Sequence, residues 1–74
     1  MDEASLQAKV GAAIRDRRTS LQMSQEAFAD SIKMHRAYYS KIERGERNVT
    51  LATLWRVADG LGIEPSQLLH EAGI

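Results

Sequence analysis

Lys33, Arg36, Lys41, Arg44 and Arg47 place five cations within fifteen residues, with the small or polar side chains Ala37 and Ser40 between them and Asn48 just after. Cations at this density, interrupted by small residues that let a partner approach, suit a polyanion whose backbone and base edges are read together. An arginine at the start of a helix, as Arg36 is expected to be, can pair bidentately with guanine O6 and N7, and Ala37 can touch a thymine methyl. Ser40 and Lys41 can reach bases or phosphates further along. Arg44 and Arg47 flank Gly45 and are expected to grip the nucleic-acid backbone, with Arg47 a second candidate for a base contact. Gln25, in the first turn of another helix, can hold a phosphate with its amide while nearby N–H groups assist. His35, Tyr38 and Asn48 complete the candidate set, Tyr38 either through its hydroxyl on a phosphate or by packing alone.

Other chemistries find less support. Glu43 alone does not make an acid–base pair, and its better reading is structural, orienting Arg18, Arg44 or Arg47. His35 and His70 lie far apart without flanking ligands, so no metal site is expected. With no cysteine there is no disulfide, thiolate nucleophile or sulfur-ligated metal. Ser24 and Ser40 lack a neighbouring base. Tyr38, Tyr39 and Trp55 recur at helical spacing, which favours packing over the base stacking of single-strand binders. No catalytic constellation and no cofactor site is expected.

The chain has 74 residues and a formal net charge of zero, enough for one domain that buries about 60% of its unfolded surface. The zero conceals an uneven distribution: residues 1–32 carry −1, residues 33–47 carry +3 and residues 48–74 carry −2. The apolar stretches are far shorter than the roughly 20 residues of a membrane span. The start Met1-Asp2-Glu3 lacks the basic-then-apolar order of a signal peptide. These features predict a cytoplasmic, nucleoid-associated protein with no membrane partner.

The elements that must position the cations are helical. Pro65 is the only proline, and no segment alternates apolar and polar residues as a strand would. Leu6, Val10, Ile14 and Leu21 mark a first helix over about 4–20. Ala27, Phe28 and Ile32 mark a second over about 25–31. Tyr38 or Tyr39, with Ile42, marks a third over about 36–43. Leu51, Leu54, Trp55, Ala58 and Leu61 mark a fourth over about 51–60, and Leu68, Leu69 and Ala72 a fifth from Pro65. Four starts share one device, an apolar residue before the cap and another five positions on: Met23 and Phe28, Met34 and Tyr39, Val49 and Leu54, Ile63 and Leu68. Ser24 and Thr50 are good N-caps, His35 and Glu64 weaker ones. Gly45 and Gly62 are expected to close their helices in the left-handed region. Two short helices joined by a few residues and closed by glycine form a helix-turn-helix, over about 24–44, whose second helix enters a major groove.

The stretch Ser24-Gln25-Glu26-Ala27-Phe28-Ala29 through Ser40-Lys41-Ile42-Glu43-Arg44-Gly45 resembles the Cro/phage-repressor helix-turn-helix family, also called the xenobiotic-response-element type. The likeness continues through Leu51, Leu54, Ala58, Leu61, Leu68 and Leu69. His35 to Ser40 and Glu43 to Leu51 resemble a narrower group, the controller proteins of restriction–modification systems. The resemblance implies an all-α, compact, five-helix, lambda-repressor-like domain spanning 1–74 that regulates transcription from double-stranded operator DNA. It implies Arg36 and Arg47 as base or groove readers, Gln25 and Arg44 as phosphate contacts, and RNA polymerase as a partner met by an exposed glutamate such as Glu26 or Glu46. Two positions depart from the pattern: Lys33 stands where many members have glycine in the turn, and His35 where many have a serine or threonine cap.

A unit this small reads half a site, so a homodimer on a pseudo-palindromic operator is expected. Leu51, Trp55, Ile63, Leu69 and Ile74 exceed what one small core needs and mark a dimer surface on the last two helices, about 50–72. The rival within the same class is a phage-type repressor or an antitoxin, the latter expected to add a toxin-binding segment. The rival from another class is a small helical interaction module that binds no DNA.

Overall fold

The computed structural model describes residues 2–74; of the acidic start read above, Met1 lies outside them. Five helices follow one another: α1 Glu3–Ser20, α2 Gln25–Ser31, α3 Arg36–Glu43, α4 Leu51–Leu61 and α5 Pro65–Glu71. No strand occurs among the described residues. The helix starts have local causes. Ser24 Oγ accepts from Ala27 N at 3.0 Å and Thr50 Oγ1 from Thr53 N at 3.1 Å. Asp2 caps α1 in the same way, accepting from Ser5 N at 2.7 Å. His35 and Glu64 make no side-chain cap bond; Pro65 sits at the first position of α5, where its missing N–H is no loss.

The helix ends also share one pattern. After α2, Lys33 N bonds Asp30 O and Met34 N bonds Ala29 O, the paired closure that requires a left-handed residue between them. Gly45 closes α3 and Gly62 closes α4 identically. Glycine holds that conformation without cost, but after α1 and α2 it is held by Gln22 at φ 59° and Lys33 at φ 57°. A side chain there costs roughly 1–2 kcal/mol. The turn of the helix-turn-helix is therefore strained at the lysine.

The core contains Ile14 from α1, Phe28 and Ala29 from α2, Tyr39 and Ile42 from α3, Leu54, Val57 and Ala58 from α4, and Leu68 from α5. Phe28 and Tyr39 meet with ring centroids 5.3 Å apart, tilted by 53°. All four apolar pairs around the helix starts lie in this core or against it. One expectation fails: Leu6 and Leu21 do not join the buried α1 face and stay exposed, Leu21 because it falls past the last helical turn. On α4, Leu51 and Trp55 point outward, and Val57 takes an inward place that the apolar spacing did not assign.

Two glycines set close approaches. A Cβ on Gly11 would lie 2.5 Å from both Ile42 O and Glu43 O, so α1 meets the C-terminal end of α3 backbone to backbone. A Cβ on Gly60 would lie 2.3 Å from Ile32 Cγ2, which lets α4 press against the end of α2. The first of these contacts sets how closely α3 sits against α1.

Candidate nucleic-acid interface

α3 divides its side chains by helical period. Tyr39, Ile42 and Glu43 are buried, whereas Arg36, Ala37, Lys41 and Arg44 are exposed and Ser40 and Tyr38 half-buried. Arg36, Ala37, Ser40, Lys41 and Arg44 line an open groove of about 260 Å³ along the outer face. A second cleft of about 470 Å³ lies at the turn, lined by Glu26, Asp30, Lys33, Met34, His35 and Arg36. Arg36 thus stands at the junction of the two hollows, at the N-terminal end of α3. Neither Arg36 nor Lys41 enters an ion pair among the described residues, where the pairs are Arg17–Glu71, Arg18–Glu43 and Arg44–Glu46.

The two arginines beside Gly45 are held. Arg44 forks onto Glu46 and also donates from Nη1 to Ser40 Oγ at 3.1 Å. The Arg47 guanidinium lies over the Tyr38 ring, 5.3 Å from its centroid, a stacking that suits a flat, weakly hydrated cation. Asn48 donates to Glu3 Oε1 at 3.0 Å, so the amide tethers the post-α3 loop to the start of α1.

Beneath this face lies a carboxylate with four hydrogen-bond donors. Glu43 accepts from Arg18 Nε at 2.6 Å, from Arg18 Nη2 at 3.1 Å, from Gln25 Nε2 at 2.9 Å and from the Tyr39 hydroxyl. Arg18 also donates from Nη1 to Met23 O at 2.7 Å. One buried acid thereby joins α1, the start of α2 and α3. Burial alone would raise the Glu43 pKa, but hydrogen bonds from Arg18, Tyr39 and Gln25 outweigh it and hold the carboxyl below its ordinary range. The Tyr39 hydroxyl is pushed up, first by burial and then by its bond to Glu43.

The structural reading of Glu43 therefore applies, with Arg18 as the partner rather than Arg44 or Arg47. Gln25 is only partly free for a phosphate: one N–H of its amide is committed to Glu43, leaving the other N–H and Oε1. Of the expected dimer residues, Leu51 is 77% exposed, Trp55 61% and Ile74 51%, while Ile63 and Leu69 are half-buried against the core. Residues that mattered without being singled out are Gly11, Gly60 and Asp2. A glycine inside a helical pattern signals close packing, so Gly11 and Gly60 had a visible sign. Among the described residues no group of three or more His, Asp or Glu is placed to hold a metal ion, and no helix is long and apolar enough to cross a membrane.

Comparison with known proteins agrees with this geometry. The helix-turn-helix model HTH_3 matches residues 14–68. The control protein C.MunI of a Mycoplasma species is 46% identical over 55 residues, covering 74% of either chain. The crystal structure of the restriction-modification controller protein C.AhdI from Aeromonas hydrophila superposes with a TM-score of 0.79 at 39% identity, covering 82% of this chain and 92% of that one. The clp gene regulator ClgR from C. glutamicum superposes with a TM-score of 0.88 at 29% identity, covering 92% of this chain and 87% of its own.

Proposed function

The chain belongs to the HTH_3 helix-turn-helix family, and we propose that it is a transcriptional regulator of the restriction–modification controller type, binding a pseudo-palindromic operator as a homodimer. The observation that carries this reading is the outer face of α3. It presents Arg36, Ala37, Ser40, Lys41 and Arg44 around one groove, on a helix whose inner face is locked to the core. The likeness to control proteins along most of the chain supports the controller assignment.

In this reading α3 lies in the major groove and its N-terminal residues meet base edges. Arg36 is the leading base reader, because its guanidinium has no partner among the described residues and its fork fits guanine O6 and N7. Lys41, Ser40 and His35 contact bases or phosphates along the same groove. Arg47 reaches DNA from the Tyr38 ring, which holds it extended, and Gln25 offers its remaining N–H to a phosphate. Asn48 and Arg44 flank the duplex from the loop after α3. The exposed Leu51 and Trp55, one turn apart on α4, form the centre of the dimer contact, with Ile74 contributing. Two copies then present their α3 helices to half-sites roughly 34–36 Å apart.

The protein acts by binding rather than by catalysis, in the cytoplasm and on the nucleoid. Operator position relative to the promoter decides the outcome: low occupancy recruits RNA polymerase and higher occupancy blocks it. Glu46 is engaged with Arg44, which leaves Glu26, exposed on α2, as the acid available to polymerase.

Fluorescence anisotropy against random-sequence duplex, repeated across salt, tests the reading. Binding that weakens steeply with salt reports phosphate contacts. An inverted repeat recovered by selection from a random pool supports the dimer. No binding at micromolar protein and low salt would favour an interaction module instead.

A further inference from the structure

Glu46 is an acid on the face assigned above to DNA. It follows α3 by three residues, and its backbone is fixed by the bond from Glu46 N to Lys41 O at 2.9 Å and by the left-handed Gly45. From that position its carboxylate accepts from Arg44 Nε at 3.0 Å and from Arg44 Nη2 at 3.3 Å. Ser40 Oγ takes a third bond, from Arg44 Nη1, at 3.1 Å. One N–H on each nitrogen of the guanidinium is thereby committed, leaving one on Nη1 and one on Nη2. Arg44 lines the same groove as Arg36 and Lys41. Both side chains of the pair are 53% exposed, so the pair adds little to folding stability. Its consequence falls on what approaches the groove.

We propose that Glu46 is a positioning residue that sets the discrimination between operator and random DNA by acting through Arg44. It cancels the arginine's charge toward any passing phosphate and holds the two remaining N–H groups in one orientation. The inference rests on the DNA-binding reading. Non-specific affinity comes almost wholly from cations that displace counterions from the phosphate backbone. A cation already paired with a carboxylate displaces few, and the carboxylate itself is repelled. On the cognate site the fixed fork still donates its two directed hydrogen bonds, and with less ordering left to do. Glu46 therefore lowers affinity for random sequence more than for the operator. It also gives a reason for a net charge of zero on a nucleic-acid binder: the acid beside the groove selects against promiscuous attachment.

The test compares the full chain with Glu46→Gln, Arg44→Gln and the double variant. Each is titrated onto a random-sequence duplex and onto a duplex selected by the wild type from a random pool. Glu46→Gln should bind random duplex more tightly at low salt. Its affinity there should fall about 3.5-fold further than that of the wild type between about 50 and 200 mM salt, the effect of one added phosphate contact. The selected duplex should gain less, so the ratio of the two affinities shrinks. In the Arg44→Gln background the Glu46 substitution should have little further effect. Unchanged random affinity and salt slope, or equal gains on both duplexes, overturns the proposal. So does a full effect that persists without Arg44, which would make Glu46 a plain source of repulsion. Wild type that binds neither duplex overturns the DNA-binding reading itself, whereas normal wild-type binding with an indifferent Glu46→Gln overturns this inference alone.

Discussion

Replacing Glu43 with alanine removes the one acceptor shared by Arg18, Gln25 and Tyr39. Arg18 is only 9% exposed, so its charge would remain inside the domain without a counterion. Breaking a buried pair from one side costs about 3–5 kcal/mol. A chain of 74 residues has roughly 4–11 kcal/mol of stability in total, at about 0.05–0.15 kcal/mol per residue. The substitution thus removes a large share of the fold's stability. Urea unfolding at fixed protein concentration, followed by circular dichroism, should show the midpoint falling by about 3–5 M at a slope near 1 kcal/mol/M. Removing both ends, in Arg18→Met with Glu43→Leu, should recover part of the loss, because no charge is then stranded although the buried Tyr39 hydroxyl still loses its acceptor. Loss of less than about 1 kcal/mol in Glu43→Ala would refute the idea that this carboxylate ties α1, α2 and α3 together. The same network sets the pH limits. Glu43 is held below its ordinary 4.5, so its contribution is complete above that value and is lost as pH falls through the folded pKa. Tyr39 is raised above its ordinary 10.0, so its contribution is complete below 10.0 and is lost as pH rises beyond it. Thermal melts across pH should decline on both flanks.

Three further substitutions probe separate parts of the account. Lys33→Gly relieves a side chain at φ 57° and should raise stability by about 0.5–1 kcal/mol once the greater freedom of the unfolded chain is counted; an unchanged or lower urea midpoint would mean that the turn is not strained. Gly11→Ala places a Cβ 2.5 Å from two α3 carbonyl oxygens and should cost about 1–3 kcal/mol by overpacking, visible as a lowered melting temperature. Trp55→Glu should shift sedimentation toward monomer while leaving the dilute protein folded, since Trp55 is 61% exposed; a loss of fold at all concentrations would place this tryptophan in the core instead.

The helices were legible because their signals are local. Caps such as Ser24 and Thr50, the apolar residue before each cap and the glycines after α3 and α4 each act within a few residues of the boundary they set. The inward face of α3 was legible for the same reason, since Tyr39 and Ile42 follow the helical period. What the sequence did not reveal depends on approach between distant segments. Gly11 and Gly60 matter only because α1 crosses α3 and α4 crosses α2. Leu6 and Leu21 fit an apolar period but lie where no second element covers them. The partners of Gln25 and Asn48 are acids from other elements, Glu43 and Glu3, so residue type alone overstated how much of each amide is free for a phosphate. Arg44 and Glu46 are near neighbours, yet their pairing depends on the tight turn at Gly45 rather than on helical spacing.

Selection of bound duplexes from a random pool, by the wild type and by Arg36→Ala, asks whether α3 reads base sequence through Arg36. The wild type should select an inverted repeat, and the variant should lose about 1–3 kcal/mol on that site and relax its preference at one symmetry-related base pair while the other positions keep theirs. A variant that weakens equally on every sequence and selects the same repeat would contradict it, and would make Arg36 a phosphate contact.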